Sequence, residues 1–383
     1  MKQLFSIAIL IFLLQPNALG QEKKNLPRYK GQLSGFGSYS PDADPSWLFG
    51  GRYIPELSQE FKIDSTSFID YEVSANMFAS ATFSELDSIN TDANIQPYRA
   101  WARYSTDQFE LRVGLQKINF GSAAILRPLM WFDEIDPRDP LQLTNGVYGA
   151  LARYYFLNNA NIWLWGLYGK TDARGWDVIP SYKSPEFGGR LQYPVPNGEI
   201  AATYHHRTAN AADILGETSL EQIPENRYGL DGKWDIGIGL WFEASWIHRS
   251  KNLNLFTNHT MFNLGMDYTF ALGNGLNVVA EHLVNSLDEK AFALENKSHI
   301  TASTLSYPMG MFDNLTTVAY FDWTNKLGSF FLNYQHTFSR ITTYVMAFYI
   351  PDSSGTTGIQ DNNLALTSNM KGPGVRFMLL FDH

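Results

Sequence analysis

Apolar residues recur at every second position through most of the chain. In the stretch 67–83, SFIDYEVSANMFASATF, an apolar series alternates with a largely polar one. A strand places successive side chains on opposite faces, whereas a helix needs apolar residues spaced near 3.6 positions. The same alternation returns in FELRVGLQ at 109–116 and in MFNLGMDYTF at 261–270. We therefore expect an all-β chain with one apolar, aromatic face and one charged face.

Turn-forming residues divide these runs in a second regular pattern. Tight junctions such as Asn197-Gly198 and Asn274-Gly275 alternate strictly with longer polar connections. These longer connections are 119–145, 171–185, 208–225, 249–257, 285–297 and 351–371. Outer-membrane barrels are built in this way, with short periplasmic turns and long extracellular loops. The spacing predicts a transmembrane antiparallel up-and-down β-barrel of about 18 strands, with 16 as the alternative count.

Composition favours a membrane barrel over a soluble propeller or sandwich. Aromatic residues make up 15% of the chain, and they often stand at the ends of the apolar face, as in interfacial girdles. Many of the alternating runs reach the roughly nine to eleven residues that a tilted membrane strand needs. The net charge of -9, with dispersed basic residues, argues against nucleic acid as a partner.

The N-terminal residues are expected to direct export. Lys2 precedes an apolar run from Leu4 to Leu14, and Ala18 and Gly20 stand where small residues precede a signal-peptidase cut. We predict a cleaved signal peptide at 1–20, a periplasmic extension at 21–27 and the barrel over 28–383, in the outer membrane of a Gram-negative bacterium. The chain has no cysteine, which excludes disulfides and thiolate metal sites.

A short motif resembles a known class of barrels. LRVGLQKINFG at 111–121, followed by FDEIDPRDP at 132–140, is similar to the strand-then-loop pattern of large Gram-negative porin-like barrels, such as the alginate-export and substrate-selective porin families. In those families the strand leads through a Phe-Gly or Trp-Gly to a loop that carries Asp-Pro pairs and folds into the lumen. The resemblance implies an outer-membrane channel.

The polar register of the predicted strands would face the lumen. Facing walls of opposite charge would create a transverse field that orients dipolar solutes. The alternative is that the same residues form salt bridges which hold a filled barrel rigid. The predicted basic strip is Arg99, Arg103, Arg112, Arg153, Arg190, Arg207 and Arg227, and the predicted acidic wall is Asp231, Glu243, Asp267, Glu281 and Asp322.

The connection at 119–146 is the longest and is the main candidate functional segment. Its stretch 127–140, RPLMWFDEIDPRDP, joins an apolar cluster to four carboxylates. An apolar cluster needs a packing surface, so we expect this loop to fold into the lumen, to bring its carboxylates toward the basic strip and to narrow the channel. The predicted constriction residues are Arg127, Trp131, Asp133, Glu134, Asp136, Arg138 and Asp139.

Other chemistries for this loop are less favoured. A calcium site would need about six to eight converging oxygens, and the loop carboxylates could supply some, although their spacing does not match an EF-hand. Neither a G-x-S-x-G elbow nor an H-E-x-x-H helix is present. We predict a channel for small hydrophilic solutes, including anions, that is not an enzyme and binds no metal or cofactor. Its partners would be outer-membrane lipid and other outer-membrane proteins. The alternative is a non-conducting barrel subunit of a larger complex for protein secretion or assembly.

Overall fold

The computed structural model describes residues 26–84, 89–169, 171–351 and 370–383. These residues form an 18-stranded antiparallel sheet. Each strand pairs with its neighbours in sequence, and β18 pairs with β1, so the sheet closes into a barrel. The predicted all-β barrel of 18 strands is confirmed, and the alternative of 16 is wrong. The predicted signal peptide at 1–20 lies outside the described residues, as does most of the extension at 21–27.

The strand bounds follow the alternating runs of the sequence. They are β1 Arg28–Tyr39, β2 Trp47–Lys62, β3 Phe68–Phe83, β4 Asn90–Ser105, β5 Phe109–Gln116, β6 Val147–Tyr155, β7 Asn161–Leu167, β8 Glu186–Val195, β9 Gly198–Ala209, β10 Ile223–Asp235, β11 Gly239–Arg249, β12 Asn258–Phe270, β13 Leu276–Asp288, β14 Lys297–Pro308, β15 Asp313–Asp322, β16 Leu327–Thr337, β17 Ile341–Ile350 and β18 Gly372–Asp382.

The two-residue period separates an outer apolar face from an inner face. On β18, Val375, Phe377 and Leu379 are exposed on the outside, whereas Arg376 and Met378 between them are buried inside. Closure pairs every strand on both sides, which satisfies the backbone groups that an open sheet would leave at its edges. The barrel therefore has the apolar exterior that a bilayer requires.

The connections differ between the two rims. Odd-numbered strands end at the rim that carries 117–146, 168–185 and 210–222, which we call the long-loop rim, and the other rim carries tight turns such as 196–197 and 236–238. The predicted strict alternation of short and long connections is wrong at 323–326, a tight connection on the long-loop rim. The carboxylate of Asp322 accepts hydrogen bonds from the backbone N–H groups of Thr324 and Asn325 at 2.7 and 3.0 Å, which closes this turn.

The hydrophobic core lies inside the barrel, between the loops and the inner wall. Ile125, Leu126 and Met130 of 117–146 are buried against strand residues such as Met261 and Leu283. Within the described residues, the α-helix α1 (Ala212–Leu215) lies in the connection 210–222, and no helix is both long and apolar enough to cross a membrane. Connections of the long-loop rim therefore occupy part of the lumen.

Candidate functional site

The connection 117–146, which we call the lumen loop, lies inside the barrel. Leu126, Leu129 and Trp131 are each at most 2% exposed. The indole Nε1 of Trp131 donates a hydrogen bond of 3.1 Å to the hydroxyl of Ser245 on the inner face of β11. The apolar cluster that the sequence shows at 129–132 thus finds its packing surface within the lumen.

Two carboxylates of the inner wall hold the backbone of the lumen loop. Glu281 on β13 accepts hydrogen bonds from the N–H groups of Ala124, Ile125 and Leu126 at 2.6, 3.1 and 2.5 Å. Glu243 on β11 accepts hydrogen bonds from the N–H groups of Ala123 and Leu129 at 2.7 and 3.1 Å. We call Glu243 and Glu281 the carboxylate clamp.

The carboxylate clamp is a strong anchor because the loop has no strand partner there. A buried N–H without an acceptor costs about 1–3 kcal/mol, and hydrogen bonds to charged groups are the stronger class. The side chains of Trp241 and Asn263 also donate to Glu281, at 3.0 and 3.1 Å, and fix its orientation. Sequence reasoning placed both glutamates on the lumen face but missed the clamp, because backbone donors leave no signal in the residue types.

The carboxylates of the lumen loop pair mainly within the loop. Asp133 forms an ion pair of 2.7 Å with Arg127, and Asp136 forms one of 2.7 Å with Arg138. Glu134 accepts a hydrogen bond of 3.3 Å from the side chain of Asn145. Asp133 and Asp136 therefore pair with arginines of the loop itself, and their approach to the basic strip stays a prediction. Arginines of the same loop lie nearer, and they neutralise these buried acids locally.

An ion pair joins the predicted basic strip to the predicted acidic wall. Arg190 on β8 and Asp231 on β10 form a pair of 2.6 Å. Glu243 and Glu281 bind the lumen loop, Asp322 closes a turn, and Asp267 stands near the tight-turn end of β12. Ion pairs therefore hold part of this interior, and a transverse field between the walls stays a prediction.

The other arginines of the basic strip lie on the inner wall and are held by acceptors. Arg103 pairs with Asp70 at 2.7 Å, whereas Arg112 and Arg153 pair with Glu110 at 3.2 and 3.4 Å. Arg99 donates a hydrogen bond of 3.0 Å to the carbonyl of Thr144 in the lumen loop. Each guanidinium is therefore engaged with the protein itself.

A second connection, 168–185, contacts the lumen loop and is bound to the inner wall by ion pairs. Its Asp177 pairs with Arg207 at 2.9 Å and with Arg227 at 2.6 Å, while its Arg174 pairs with Glu186 at 2.8 Å. The indole of Trp176 donates a hydrogen bond of 2.9 Å to the carbonyl of Arg127. Arg207 and Arg227 therefore serve to hold this connection in place.

Gly175 shows how closely the two connections approach. Its φ of +53° is in the left-handed region, and a Cβ there would lie 2.0 Å from the carbonyl oxygen of Met130. Only glycine combines this backbone angle with this contact. The residues that carry these contacts are RGWD at 174–177, a stretch that matches no motif named above.

Two buried arginines on the opposite wall differ from all of these. The Nε and Nη1 atoms of both Arg52 on β2 and Arg376 on β18 have no acceptor among the described residues. The guanidinium of Arg376 stacks 5.2 Å from the ring of Phe36, and that of Arg52 stacks 5.0 Å from the ring of Phe78. The two rings are 6.3 Å apart, so one guanidinium lies at each end of an aromatic pair. We call Arg52 and Arg376 the open arginine pair.

Asp139 of the lumen loop is an acid whose charge acts on both members of the open arginine pair. It interacts electrostatically with both Arg52 and Arg376, and its carboxylate accepts a hydrogen bond of 2.9 Å from the N–H of Leu141. Burial raises the pKa of Asp139 to about 6. Two cations thus share one acid, and sequence reasoning missed them because β2 and β18 become near neighbours only when the barrel closes.

No cluster of three or more histidine, aspartate or glutamate side chains suited to a metal ion is found in the described ranges. The acids of the lumen loop face arginines and backbone N–H groups, as described above. Nothing in the described geometry therefore assigns a calcium site to 127–140.

Solved structures with the same fold are porins. The chain is similar to OccK5 (OpdH) of Pseudomonas aeruginosa, with a TM-score of 0.54 and 12% identity over 93% of this chain and 97% of that one. It is also similar to OccK11 (OpdR) of the same organism, with a TM-score of 0.54 and 13% identity over 93% of this chain and 95% of that one. OccAB4 of Acinetobacter baumannii has a TM-score of 0.53 and 10% identity, over 94% of this chain and 99% of that one. These neighbours are outer-membrane porins of Gram-negative bacteria, and the likeness shows a shared fold. No protein-family model and no curated protein sequence matches the chain.

The carboxylate clamp predicts how the lumen loop responds to one substitution. Glu281→Gln removes the charge and one acceptor oxygen, so the loss of about 1–3 kcal/mol should accelerate amide exchange at 124–126 roughly tenfold to a hundredfold. Hydrogen exchange measured by mass spectrometry on the purified barrel checks this. Asp267→Asn, in the same predicted wall but away from the loop, is the matched control. Unchanged protection of 124–126 in the Glu281 variant would refute the clamp.

Proposed function

We propose that the protein is an outer-membrane channel for small hydrophilic solutes, that it favours anions, and that the lumen loop constricts it. The open arginine pair carries this proposal, because it offers buried, unsatisfied donors beside the loop. The closed sheet and its apolar exterior support insertion into a bilayer. The likeness in fold to porins supports the outer membrane of a Gram-negative bacterium as the location and lipid as a partner. The assignment to a substrate-selective or alginate-export type is part of the same proposal.

The preference for anions follows from the charges near the constriction. Arg52 and Arg376 are both about 2% exposed, and Asp139 is the one acid they share. A buried charge is costly unless an opposite charge or hydrogen-bond partners compensate it. The excess positive charge of the pair would attract anionic solutes in the lumen through its field, whereas it would repel cations.

The constriction follows from the span of the lumen loop. At one end the carboxylate clamp ties 123–129 to β11 and β13. At the other end Leu141 packs near Phe36 and Met378, and Leu143 packs against Ile54. The loop therefore reaches from one inner wall to the wall that carries the open arginine pair. A solute that crosses the barrel along this wall would pass through the field of Asp139 and its arginine partners.

The alternative of a non-conducting subunit needs apolar loop surfaces that are available to a partner. In the segment 252–256, Leu253 is buried in a cluster with Ile179 and Ile223, whereas Leu255 is exposed. Phe292 and Leu294 of the connection after β13 are exposed as well. We favour the channel because the solved structures that share the fold are porins.

The channel is tested by planar-bilayer recording. We expect the purified protein to form ion-conducting channels with a higher permeability for chloride than for potassium. Arg52→Gln and Arg376→Gln should each lower this permeability ratio, because each removes a cation from the constriction. Arg52→Lys, which keeps the charge, should retain it. Absence of conductance would refute the channel, and conductance with a ratio unchanged in both Gln variants would refute the anion site.

The raised pKa of Asp139 predicts a dependence on pH. Below about pH 6 the carboxyl is protonated and neutral, so the positive charge of Arg52 and Arg376 is less compensated. Asp136 and Tyr344 are the other titratable groups that interact with Asp139. The chloride preference should therefore rise as the pH falls through about 6. The measurement is reversal potential in a salt gradient across this range. Asp139→Asn should remove the step, and a step that persists in this variant would contradict the assignment.

A further inference from the structure

The outer face of the barrel changes character on β13, β14 and β15. On β12 next to this region the outward residues are Phe262, Leu264 and Met266, all exposed and apolar. On the three strands that follow, a group of small and polar side chains occupies part of the outward register, which elsewhere keeps exposed apolar residues such as Leu305 and Phe321. The small and polar side chains are Ala280, His282, His299, Thr301, Ser303, Thr317 and Ala319. We call this set the polar outer patch.

The polar outer patch extends from the long-loop interface to the middle of the barrel wall. Trp323 at the long-loop rim donates a hydrogen bond to Thr301, whereas Ser303 and Thr317 lie near the middle of β14 and β15. Tyr268 and Phe270 lie toward the tight-turn end of the wall. Aromatic side chains of this kind mark the two membrane interfaces, so Ser303 and Thr317 between them face the hydrocarbon region.

The patch satisfies only part of its own hydrogen-bonding capacity. The hydroxyl of Thr301 is hydrogen-bonded to Nδ1 of His282 at 2.9 Å and accepts from Nε1 of Trp323 at 2.8 Å. Among the described residues, the hydroxyls of Ser303 and Thr317 have no hydrogen-bond partner. Hydrocarbon tails supply none, and polar groups left without partners at this depth are costly. A binding partner with polar groups at the same membrane depth would satisfy these hydroxyls.

The surface here is also concave. A cavity of about 570 Å³ lies beside the patch, between Phe242, Leu264 and Met266 on one side and His282 and Thr301 on the other. One cross-strand row explains the shape: Met266, Ala280, Ser303, Ala319 and Phe330 are consecutive partners from β12 to β16. Three small side chains thus lie between two bulky ones, and the middle one is on β14.

We propose that the polar outer patch is the contact surface of a dimer of this chain in the membrane. This inference rests on the proposed function, because it requires the barrel to lie in a bilayer. Two copies inserted in the same direction carry His282, Thr301 and Ser303 at the same depth. A two-fold axis along the bilayer normal and close to β14 places Thr301 and Ser303 opposite their own copies and His282 of β13 against β15 of the partner, as a self-complementary interface requires.

The same axis matches the shape of the two surfaces. It brings β12 and β13 of one copy against β15 and β16 of the other. The exposed ring of Phe330 on β16 then faces the cavity beside Ala280 of the partner. An acyl chain could fill the cavity but could not pair with Ser303 or Thr317, and a water-soluble protein could not reach this depth. A second copy therefore fits the patch better than either.

Cross-linking in lipid vesicles tests the dimer. The chain has no cysteine, so Ser303→Cys creates a single thiol close to the proposed axis. A short bismaleimide should join two copies of this variant. Ala100→Cys, an outward position on β4 far around the barrel, is the matched control and should stay monomeric. Equal cross-linking at the two positions, or none at Ser303→Cys, would overturn the dimer.

A second variant separates this inference from the proposed function. Ala319→Trp places a bulky side chain in the row of small outer residues, Ala280, Ser303 and Ala319, and should prevent two copies from packing there. Mass measurement in lipid nanodiscs should then give a monomer, and channel conductance should be retained. Ala100→Trp should leave the dimer intact. A monomeric wild-type protein that conducts would overturn the dimer alone, even if lipid co-purifies with it. A dimeric protein without conductance would overturn the channel and leave the dimer.

Discussion

The carboxylate clamp is the interaction on which the interior of this barrel depends. The lumen loop has no strand partner where it crosses the interior, so its backbone donors need acceptors on the inner wall. Glu281 and Glu243 supply them to five N–H groups between Ala123 and Leu129. The acids of the loop are then free to pair with its own Arg127 and Arg138. The second connection, 168–185, packs on the fixed loop through Trp176 and is held to the inner wall through Asp177.

The charges inside the barrel are distributed unevenly between these contacts and the opposite wall. Most inner arginines hold a connection or a neighbouring strand, as Arg207 and Arg227 do with Asp177. The open arginine pair is different, because its two positive charges share a single acid, Asp139. The positive charge on this wall is therefore only partly compensated by the interior. On the outer face, Ser303 and Thr317 likewise have no hydrogen-bond partner within the described part of their own wall.

The fold could be predicted from the sequence, and the pairing of its charges could not. The two-residue period, as in 67–83, sets which side chains face inward, so the lumen position of Glu243 and Glu281 followed directly. Which acid meets which arginine depends on distances across the closed sheet, and alternation contains no such information. Asp231 was assigned to one wall and Arg190 to the other, yet they form an ion pair. Arg52 and Arg376 lie far apart in the sequence, and only closure places β2 and β18 on either side of β1.

The central claim is that the clamped lumen loop narrows a channel. It is tested most directly by the single-channel conductance of the double variant Glu243→Gln and Glu281→Gln, compared with the wild type in the same bilayers. Loss of both charges should loosen the loop from the inner wall and give a larger conductance, whereas Asp267→Asn should leave the conductance unchanged. A double variant that folds and conducts like the wild type would contradict the account.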